Sequence, residues 1–405
     1  MSKPLNPTQI WERALAGSRW LMQHQNPDGS WKGLSDPKAD AFYKSSWALA
    51  VTGHAASANR SLAYVSRTFF TPEGDFLPRG HPWHVRAHYP YINSYFIVGS
   101  MLAGCYRVAV PAVSFLLTQQ DALRGGFYSR LTEEGGKQMA DTTSSSIAGI
   151  ACLAAGRFES ALRVAGYLAR MIELQPASND RFFTAITADG LLFTDPENDT
   201  DAFLRIVDTK KTDQCMFAMG LPFAFLVQLA DAANDTRYLD LAKWYFNFQQ
   251  SCIDPWDGYS SGKAGWGCAM IYRITGETRY RDIALHVAKG IMSRQRTDGS
   301  WVFGRRNQPG LVNADMDLTA EFTLWLSLIS ANVLTRDSGQ IPILIKRTRI
   351  PKPVSKPSLK EILQRTARAH YRILKYEGLK KYFLYSYFYR KGQVLKWIRK
   401  KNQPV

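Results

Sequence analysis

Two carboxylates close to the end of the apolar part of the chain, Asp315 and Asp317, stand in the segment Asp-Met-Asp-Leu-Thr-Ala. A carboxylic acid in a closed pocket can donate a proton to a substrate, and a neighbouring carboxylate tunes its strength. The apolar residues that follow predict a buried helix, which places both acids at its N-terminal end. We therefore take Asp317, with Asp315, as the candidate catalytic pair. The alternative is helix capping, because Asp is a preferred N-cap residue and Asp141 and Asp213 precede two other apolar runs.

Three histidines, His81, His84 and His88, lie three and four residues apart in the segment His-Pro-Trp-His-Val-Arg-Ala-His. On a helix they would share one face, where imidazoles can bind a metal or exchange protons. Pro82 and Pro90 interrupt such a helix, so a metal site is the weaker interpretation. We expect His84 and His88 to lie at a pocket rim and to contact the substrate.

A glycine-rich, aromatic segment at 258–267 contains Lys263, a cation that is placed to meet an anionic group such as a diphosphate. The Walker spacing of a phosphate loop is absent, and a tight turn between helices is the alternative. Aromatic residues on or near the predicted inner helices would suit a carbocation, or they form ordinary core. The complete set of candidate substrate contacts is His84, His88, Tyr91, Asp141, Asp213, Lys263, Trp266, Phe322 and Trp325.

Internal repeats predict the elements that position these residues. The segment 25–31, Gln-Asn-Pro-Asp-Gly-Ser-Trp, reappears 270 residues later as Gln-Arg-Thr-Asp-Gly-Ser-Trp at 295–301. The segment 235–242 matches 277–284 at an offset of 42, and a weaker copy of the first motif begins at Gln120. A chain built from such copies is expected to fold as similar units that pack on their neighbours.

Each unit has the pattern of a helix, a glycine-containing turn and a second helix. The second helices are apolar around their whole circumference, which indicates that they are buried. Six amphipathic helices that alternate with six buried ones predict two concentric rings, an all-α (α/α)6 barrel or toroid. A polar stretch from Pro176 to Thr212 is expected to be a loop at the rim. The first helices are predicted to begin near Ala14, Ser61, Ala112, Ala161, Leu241 and Ala284, and the second to span 45–52, 94–104, 142–155, 214–231, 264–274 and 317–330.

The pattern Gln-x-x-x-Gly-x-Trp, present at 25–31 and 295–301, resembles the repeat motif of squalene-hopene and oxidosqualene cyclases. Residues 5–335 are thus similar to the superfamily of terpenoid cyclases and protein prenyltransferases. The segment 315–320 resembles the class II cyclase motif Asp-x-Asp-Asp-Thr-Ala, in which the middle Asp protonates an alkene or epoxide. Asp317 matches that acid, while Leu318 stands where the motif has its final Asp. The resemblance implies acid-catalysed cyclisation or isomerisation of a hydrophobic, isoprenoid-like substrate.

A second resemblance concerns metal binding. Asp213-Gln-Cys215 is similar to the Asp-x-Cys zinc ligands of protein prenyltransferase β-subunits, whose third ligand is a His in the helix that here contains Leu318. No His stands at that place, and two protein ligands do not make a tetrahedral zinc site. We expect a buried Cys215, no metal and no cofactor.

The positive charge of the chain is concentrated at its C-terminal end. Of the net charge of +17, residues 346–405 carry +16, from 18 Lys and Arg against two Glu. Composition predicts a toroid domain over 1–340, a Pro-rich linker over 341–357, and a basic, aromatic, helical tail over 358–405. Basic residues mixed with Trp, Tyr and Phe are typical of segments that bind an anionic membrane surface. Nucleic acid and a protein partner are the alternatives.

The cysteines and the N-terminal segment predict the compartment. The five cysteines are odd in number, widely spaced and mostly in apolar segments, which is typical of buried thiols in a reducing compartment. No apolar secretory segment opens the chain, and no run approaches the roughly 20 apolar residues of a membrane span. We expect a cytoplasmic protein that is peripheral on the inner membrane surface.

Two other functions fit the same fold, because a toroid alone does not determine chemistry. One is a six-hairpin carbohydrate-active enzyme, either a hydrolase, a lyase or an epimerase. The other is a non-catalytic scaffold that has lost the acid motif. The cavity wall distinguishes the two enzyme classes: two acids about 5–10 Å apart in a polar cleft favour a sugar, whereas an aromatic chamber favours a terpenoid.

Overall fold

The computed structural model describes residues 5–131, 137–177, 180–195, 201–302 and 313–339. The chain divides into two compact units, Met1–Ile345 and Lys346–Val405, and all of the described residues belong to the first. The predicted linker at 341–357 and tail at 358–405 lie outside the described residues.

Thirteen α-helices and five short β-strands form the regular structure of the described residues. The helices are α1 (Pro7–Gln23), α2 (Ser45–Val51), α3 (Ala55–Thr68), α4 (Trp83–Arg86), α5 (Pro90–Leu102), α6 (Tyr106–Thr118), α7 (Thr142–Ala154), α8 (Phe158–Glu173), α9 (Phe217–Ala233), α10 (Arg237–Gln250), α11 (Gly262–Thr275), α12 (Thr278–Ser293) and α13 (Asn313–Asp337). The strands are β1 (Tyr128–Leu131), β2 (Lys137–Asp141), β3 (Arg181–Phe183), β4 (Ala185–Thr187) and β5 (Ile206–Asp208).

Six helices form a closed inner ring. In ring order they are α2, α5, α7, α9, α11 and α13; each packs against the next, and α13 packs against α2. Around this ring lie α3, α6, α8, α10 and α12, each packed on the inner helix that precedes it, while α1 packs on α13. The fold is therefore the (α/α)6 toroid that the repeats predicted.

The two rings differ in the way that their residues are buried. In α8 the buried positions Ala161, Val164, Ala165, Leu168 and Met171 recur every three or four residues, so one face of this outer helix meets the core. In the inner helix α9 nearly every residue from 218 to 230 is buried, because the helix has neighbours on all sides.

All six inner helices lie where the sequence predicted them, with end points that differ by a few residues. The outer helices begin three to seven residues earlier than predicted: α1 begins at Pro7 and α8 at Phe158. Five of the six predicted starts, such as Ala14 and Ala284, were small residues that are fully buried inside their helices; the sixth, Leu241, is partly buried. The small residues mark positions where an outer helix packs against the inner ring, and not the positions where the helix starts.

The Gln-x-x-x-Gly-x-Trp segments fasten one unit to the next. The Gln25 side chain donates to the Ser57 carbonyl at 3.0 Å and ties its turn to α3. Gln120 does the same to Ser160 on α8 at 3.0 Å, and Gln295 to Arg13 on α1 at 2.9 Å. The glycine in the repeat is required: Gly29 has φ +94°, and a Cβ there would lie 2.0 Å from the Arg60 carbonyl oxygen.

The stretch from Pro176 to Thr212 was expected to be a rim loop, and the structure corrects this. Its described parts contain β3, β4 and β5 and a short 3-10 turn at Ala202–Leu204. Strand β4 pairs with β2, and β3 with β5, so the stretch is joined to the edge of the toroid. It also brings Arg205, which is fully buried, to Asp141 at the start of α7.

One helix in the described part of the chain, α13, is long and apolar enough to cross a membrane. However, 72% of its most apolar window is buried inside the fold. It has the burial of a core helix.

Closure of the ring between α1 and α13 depends on Gly17. A Cβ at this position would lie 2.1 Å from Thr323 Oγ1 and 2.9 Å from Trp301 Cζ3. We expect Gly17→Ala to lower the free energy of unfolding by about 1–3 kcal/mol through overpacking, although Ala favours a helix. The control is Gly166→Ala in α8, where a Cβ meets no atom within 4 Å; it should stabilise by up to about 1 kcal/mol. Urea denaturation measures both, and equal stabilisation by the two substitutions would contradict this account.

Candidate functional site

A cavity of about 450 Å³ lies at the end of the toroid where the inner helices begin. We call it the first cavity. Its wall combines aromatic rings with charged side chains. It is lined by Asp40, Tyr43, Lys44, Gly80, His81, Trp83, His84, His88, Tyr91, Phe217, Tyr259, Ser260, Lys263, Asn313, Ala314, Asp317, Leu318 and Glu321.

Two lysines and two carboxylates form a buried cluster in this wall. Lys44 Nζ lies 2.9 and 3.0 Å from the two oxygens of Asp317 and 2.5 Å from Glu321 Oε2. Lys263 donates to the other oxygen of Glu321, which also accepts the indole N–H of Trp325 at 3.0 Å. This lysine–carboxylate cluster joins the start of α2 to α11 and α13.

The two carboxylates of the cluster have opposite pKa shifts. Burial, together with the negative charge of Glu321, raises the pKa of Asp317 to about 6, although Lys44 opposes the shift. Burial alone would also raise the pKa of Glu321, but Lys263 and Lys44 hold it well below its usual range. Glu321 is therefore ionised, whereas Asp317, with 23% of its side chain exposed to the cavity, exchanges a proton near pH 6.

His84 is anchored by a carboxylate. Its Nδ1 donates to Asp40, which also accepts the backbone N–H of Gly80 at 2.5 Å and of His81 at 3.2 Å. Burial would raise the pKa of Asp40, but His84 and these N–H groups hold it below its usual range. Burial lowers the pKa of His84 to about 4, so its imidazole is neutral at neutral pH. A neutral ring that donates from Nδ1 carries a free electron pair on Nε2.

His88, four residues further along the chain, has the same kind of anchor. Its Nδ1 donates to Asp141 at 3.0 Å, and Arg205 donates to the same carboxylate oxygen at 3.1 Å. Burial would raise the pKa of Asp141, but His88 and Arg205 hold it well below its usual range. The Nε2 atom of His88 is buried and has no hydrogen-bond partner among the described residues.

The aromatic side of the wall packs against these polar groups. The His84 ring is stacked on Tyr91 with 5.7 Å between centroids, and Tyr43 meets His84 edge-on at 5.4 Å. Lys44 Nζ lies 4.7 Å from the Tyr43 ring centroid, a cation–π distance. The Tyr91 hydroxyl lies 3.2 Å from that of Tyr95. The rings thus pack against both imidazoles and against Lys44 of the cluster.

The structure brings five of the candidate residues to the first cavity: Asp317, His84, His88, Tyr91 and Lys263. Asp141 lies directly behind His88, and it also caps α7 by accepting the Ser144 N–H at 2.6 Å. For this residue the capping alternative is therefore confirmed.

The other candidates lie elsewhere. Asp315 is buried in the first turn of α13, and Asp213 lies in the turn before α9 with φ 55°. Phe322 packs behind Tyr259, with 6.1 Å between ring centroids. Trp266 and Trp325 stack on each other deeper in the ring, at 5.6 Å.

The sequence patterns considered for metal binding do not form a ligand set. In the part of the chain that the structure describes, no three His, Cys, Asp or Glu side chains come together as a group that could hold a metal ion. Burial raises the pKa of Cys215 to about 11, so its thiol is protonated at neutral pH. His81 and His84 lie on the cavity wall with 5.4 Å between their ring centroids.

Four charged residues of the site were not among the candidates: Asp40, Lys44, Arg205 and Glu321. Glu321 follows Asp317 by four residues, so helical spacing alone would have placed both on one face. Asp40 and Lys44 come from a segment with no motif, and their partners lie far along the chain. Arg205 stands in the polar insertion, where nothing in the sequence marks it as buried.

Comparison with known proteins finds similarity in structure only. No protein-family model matches the sequence, and no curated protein does so either. Among solved structures, a D-mannose isomerase aligns over 82% of this chain and 99% of its own, with 13% identity and a TM-score of 0.61. A family 76 glycoside hydrolase from a bovine Bacteroides thetaiotaomicron strain aligns over 80% and 77%, with 11% identity and a TM-score of 0.57.

A third structure belongs to another class of enzyme. A variant of the type II terpene cyclase from Scytonema, in complex with geranylgeranyl dihydroxybenzoate, aligns over 80% of this chain and 99% of its own, with 11% identity and a TM-score of 0.53. All three are toroids. The chain shares their fold.

The lysine–carboxylate cluster generates a prediction about stability. Replacing Glu321 with Gln removes the negative charge between two buried lysines, and we expect a loss of about 3–5 kcal/mol in the free energy of unfolding. The matched control is Glu277→Gln, whose carboxylate is 39% exposed and pairs with Lys243 and Arg279. An exposed pair contributes at most about 1 kcal/mol. Similar losses in the two variants, measured by chemical denaturation, would rule out a buried ion cluster.

Proposed function

We propose that the first cavity is the active site of an enzyme that moves a proton on a hydroxylated carbonyl substrate, as sugar isomerases and epimerases do. The observation that carries this proposal is the pair of anchored imidazoles. His84 and His88 lie in one short segment, both contribute to the cavity wall, and each donates from Nδ1 to a buried carboxylate. Such an anchor fixes the tautomer and leaves Nε2 to act as a base.

His84 is the better placed of the two to act as the base. Its side chain keeps 13% of its surface exposed, and its lowered pKa keeps it unprotonated at neutral pH. In the proposed reaction Nε2 takes the proton from the carbon next to the carbonyl group. The electrons of the C–H bond form a carbon–carbon double bond, and the carbonyl oxygen becomes an enolate oxygen. An isomer forms when the former carbonyl carbon takes the proton, the hydroxyl group on the first carbon gives up its own proton to become the new carbonyl group, and the enolate oxygen takes up that proton. Protonation of the first carbon on its opposite face gives an epimer.

Asp317 and Lys44 are placed to stabilise the negative charge that develops on the carbonyl oxygen. Asp317 is protonated below about pH 6 and then donates a hydrogen bond to the carbonyl oxygen. Lys44 lies within 3.0 Å of Asp317 and brings a buried positive charge to the same place. In a site that excludes water, such groups stabilise an oxyanion far better than they do in solution.

Hydrolysis of a glycosidic bond fits the cavity less well. A glycosidase places its two carboxyl groups on opposite sides of the bond that breaks. Here Asp317 and Glu321 contact the same Lys44 Nζ, and Glu321 is held ionised by two lysines. The cluster therefore offers one exchangeable proton, on Asp317. The third carboxylate of the wall, Asp40, is occupied by His84 and by the backbone N–H groups of Gly80 and His81.

Terpenoid cyclisation is the second candidate, and one observation favours it. Asp317, which matches the middle Asp of the cyclase motif, lies on a wall that also carries Tyr43, Tyr91 and Phe217. Aromatic faces of this kind suit a carbocation. A carboxyl group with a pKa of about 6 is, however, a weak acid for protonation of an alkene, and it is well matched to a carbonyl oxygen. The likeness to a D-mannose isomerase gives limited support to the isomerase proposal, and the likeness to a terpene cyclase gives equally limited support to cyclisation.

The pH dependence of kcat/KM tests the assigned roles. Below pH 4 His84 is protonated and cannot accept a proton, so the rate falls as the pH decreases through about 4. Above pH 6 Asp317 has lost its proton and cannot donate, so the rate falls as the pH rises through about 6. Asp317→Asn keeps a donor and should retain measurable activity without the upper limb. Complete loss of turnover in Asp317→Asn would instead favour cyclisation.

The tautomer of His84 provides a second test. Asp40→Asn replaces the acceptor by an amide that can donate to Nδ1, so that Nε2 carries the proton and is no longer a base. We expect turnover to fall by about 10²- to 10⁴-fold. The control is Asp36→Asn in the same segment, whose carboxylate is 75% exposed and outside the cavity; its activity should be unchanged.

Turnover itself is measured with a panel of aldoses, ketoses and isoprenoids incubated in D2O and analysed by mass spectrometry. Deuterium on the carbon next to the carbonyl group, together with an isomeric sugar, is the expected result. A cyclised isoprenoid with no change in any sugar would contradict the proposal.

A further inference from the structure

The axis of the toroid holds a second cavity, at the end where the inner helices finish. Its volume is about 570 Å³, and every helix of the inner ring contributes to its wall. All of the lining residues except Trp47 and Trp266 come from the C-terminal half of a helix. They are Trp47, Val51, Val98, Leu102, Ile150, Leu153, Ala154, Gln228, Asp231, Ala232, Trp266, Met270, Arg273, Leu328 and Asn332. The first cavity lies at the opposite end of the ring, near the starts of α2, α5, α9, α11 and α13.

A layer of three indole rings lies between the two cavities. Trp47 meets Trp266 edge-on at 5.8 Å, and Trp266 stacks on Trp325 at 5.6 Å. Trp47 and Trp266 form the floor of the second cavity, and Trp325 donates to Glu321 of the first. This tryptophan layer makes the two cavities separate binding spaces.

The wall of the second cavity is chemically unlike that of the first. It consists mainly of aliphatic side chains and indole faces. Its two charged residues, Asp231 and Arg273, pair with each other, and Arg273 also donates to Asn332 Oδ1 at 2.8 Å. The wall therefore carries no unbalanced charge that would recognise an ionic ligand.

This end of the toroid also exposes large apolar side chains. Leu102, which lines the cavity, is 55% exposed. Tyr106 and Phe158, the first residues of α6 and α8, are 58% and 37% exposed. Apolar groups exposed around a cavity are typical of sites that accept a hydrophobic ligand.

We propose that the second cavity binds the aliphatic chain of a small amphiphile whose head is an uncharged hydroxyl group. The chain would occupy the space above the tryptophan layer and displace water from the aliphatic wall. A hydroxyl head fits for two reasons. Gln228 Oε1, in the wall, is a buried acceptor without a partner among the residues described, and a hydroxyl group can donate to it. The helix C-termini around the cavity carry partial negative charge, which disfavours a carboxylate.

Titration calorimetry of the full chain with primary alcohols from hexan-1-ol to dodecan-1-ol tests the proposal. We expect one binding site and an affinity that rises about fourfold with each methylene group, until the chain fills the cavity. Decanoate should bind at least tenfold more weakly than decan-1-ol. Turnover is not measured, so the result is independent of the function proposed for the first cavity.

Variants at the mouth locate the binding site. Ala154 and Ala232 are exposed, so Ala154→Trp and Ala232→Trp can cover the mouth without disturbing the core. Each should weaken the binding of decan-1-ol at least tenfold. Ala56→Trp is the matched control, because Ala56 is exposed at the same end of the toroid, at the start of α3, and does not line the cavity. Its affinity should equal that of the unmodified chain.

Three results would overturn the proposal. The first is the absence of saturable binding of any alcohol in the series. The second is equal affinity in Ala154→Trp, Ala232→Trp and the unmodified chain, which would place the alcohol elsewhere. The third is binding of decanoate as tight as that of decan-1-ol, which would reject an uncharged head.

Discussion

Closure of the ring is the constraint on which the rest of the structure depends. The last inner helix, α13, must meet both the first inner helix and the first outer helix, although almost the whole domain lies between them in the sequence. Three kinds of contact meet this requirement. Gly17 leaves room for the side chains of Thr323 and Trp301. Gln295 ties its turn to Arg13, and Lys44 bonds to Asp317 and Glu321. The ion cluster that closes the ring is also the charged wall of the first cavity.

This double role explains why four ionic side chains are tolerated in the core. Taking charges out of water costs several kcal/mol per ion, and a buried pair recovers that cost only with good geometry and further hydrogen bonds. The cluster has both, since Glu321 accepts from two lysines and from Trp325. Asp317, less completely enclosed, is left with a proton that it can exchange. Stability and reactivity are thus divided between two carboxylates one helical turn apart.

The fold could be predicted from the sequence because its determinants are local. Segments that are apolar around their whole circumference identified all six inner helices, and the Gln-x-x-x-Gly-x-Trp pattern marked the turns. The candidate site was predicted in part. The spacing of His84 and His88 and the motif around Asp317 pointed to the cavity, whereas Lys44 and Asp40 could not be found, since their importance arises from partners 273 and 44 residues away. Arg205 could not be found for the same reason. Trp266 and Trp325, which were predicted to contact the substrate, lie between the two cavities.

The pairing of α1 with α13 has a consequence for the synthesis of the protein. Each of the other outer helices follows its inner partner directly, so five hairpins can form as the chain emerges. Helix α1 is made first, and its partner begins at Asn313, about 290 residues later. At about 5–20 residues per second, ribosomal synthesis leaves α1 without this partner for roughly 15–60 s. Its buried face, which includes Ile10, Ala14 and Leu21, stays uncovered during that time, and this is the interval in which a nascent chain most needs protection from aggregation.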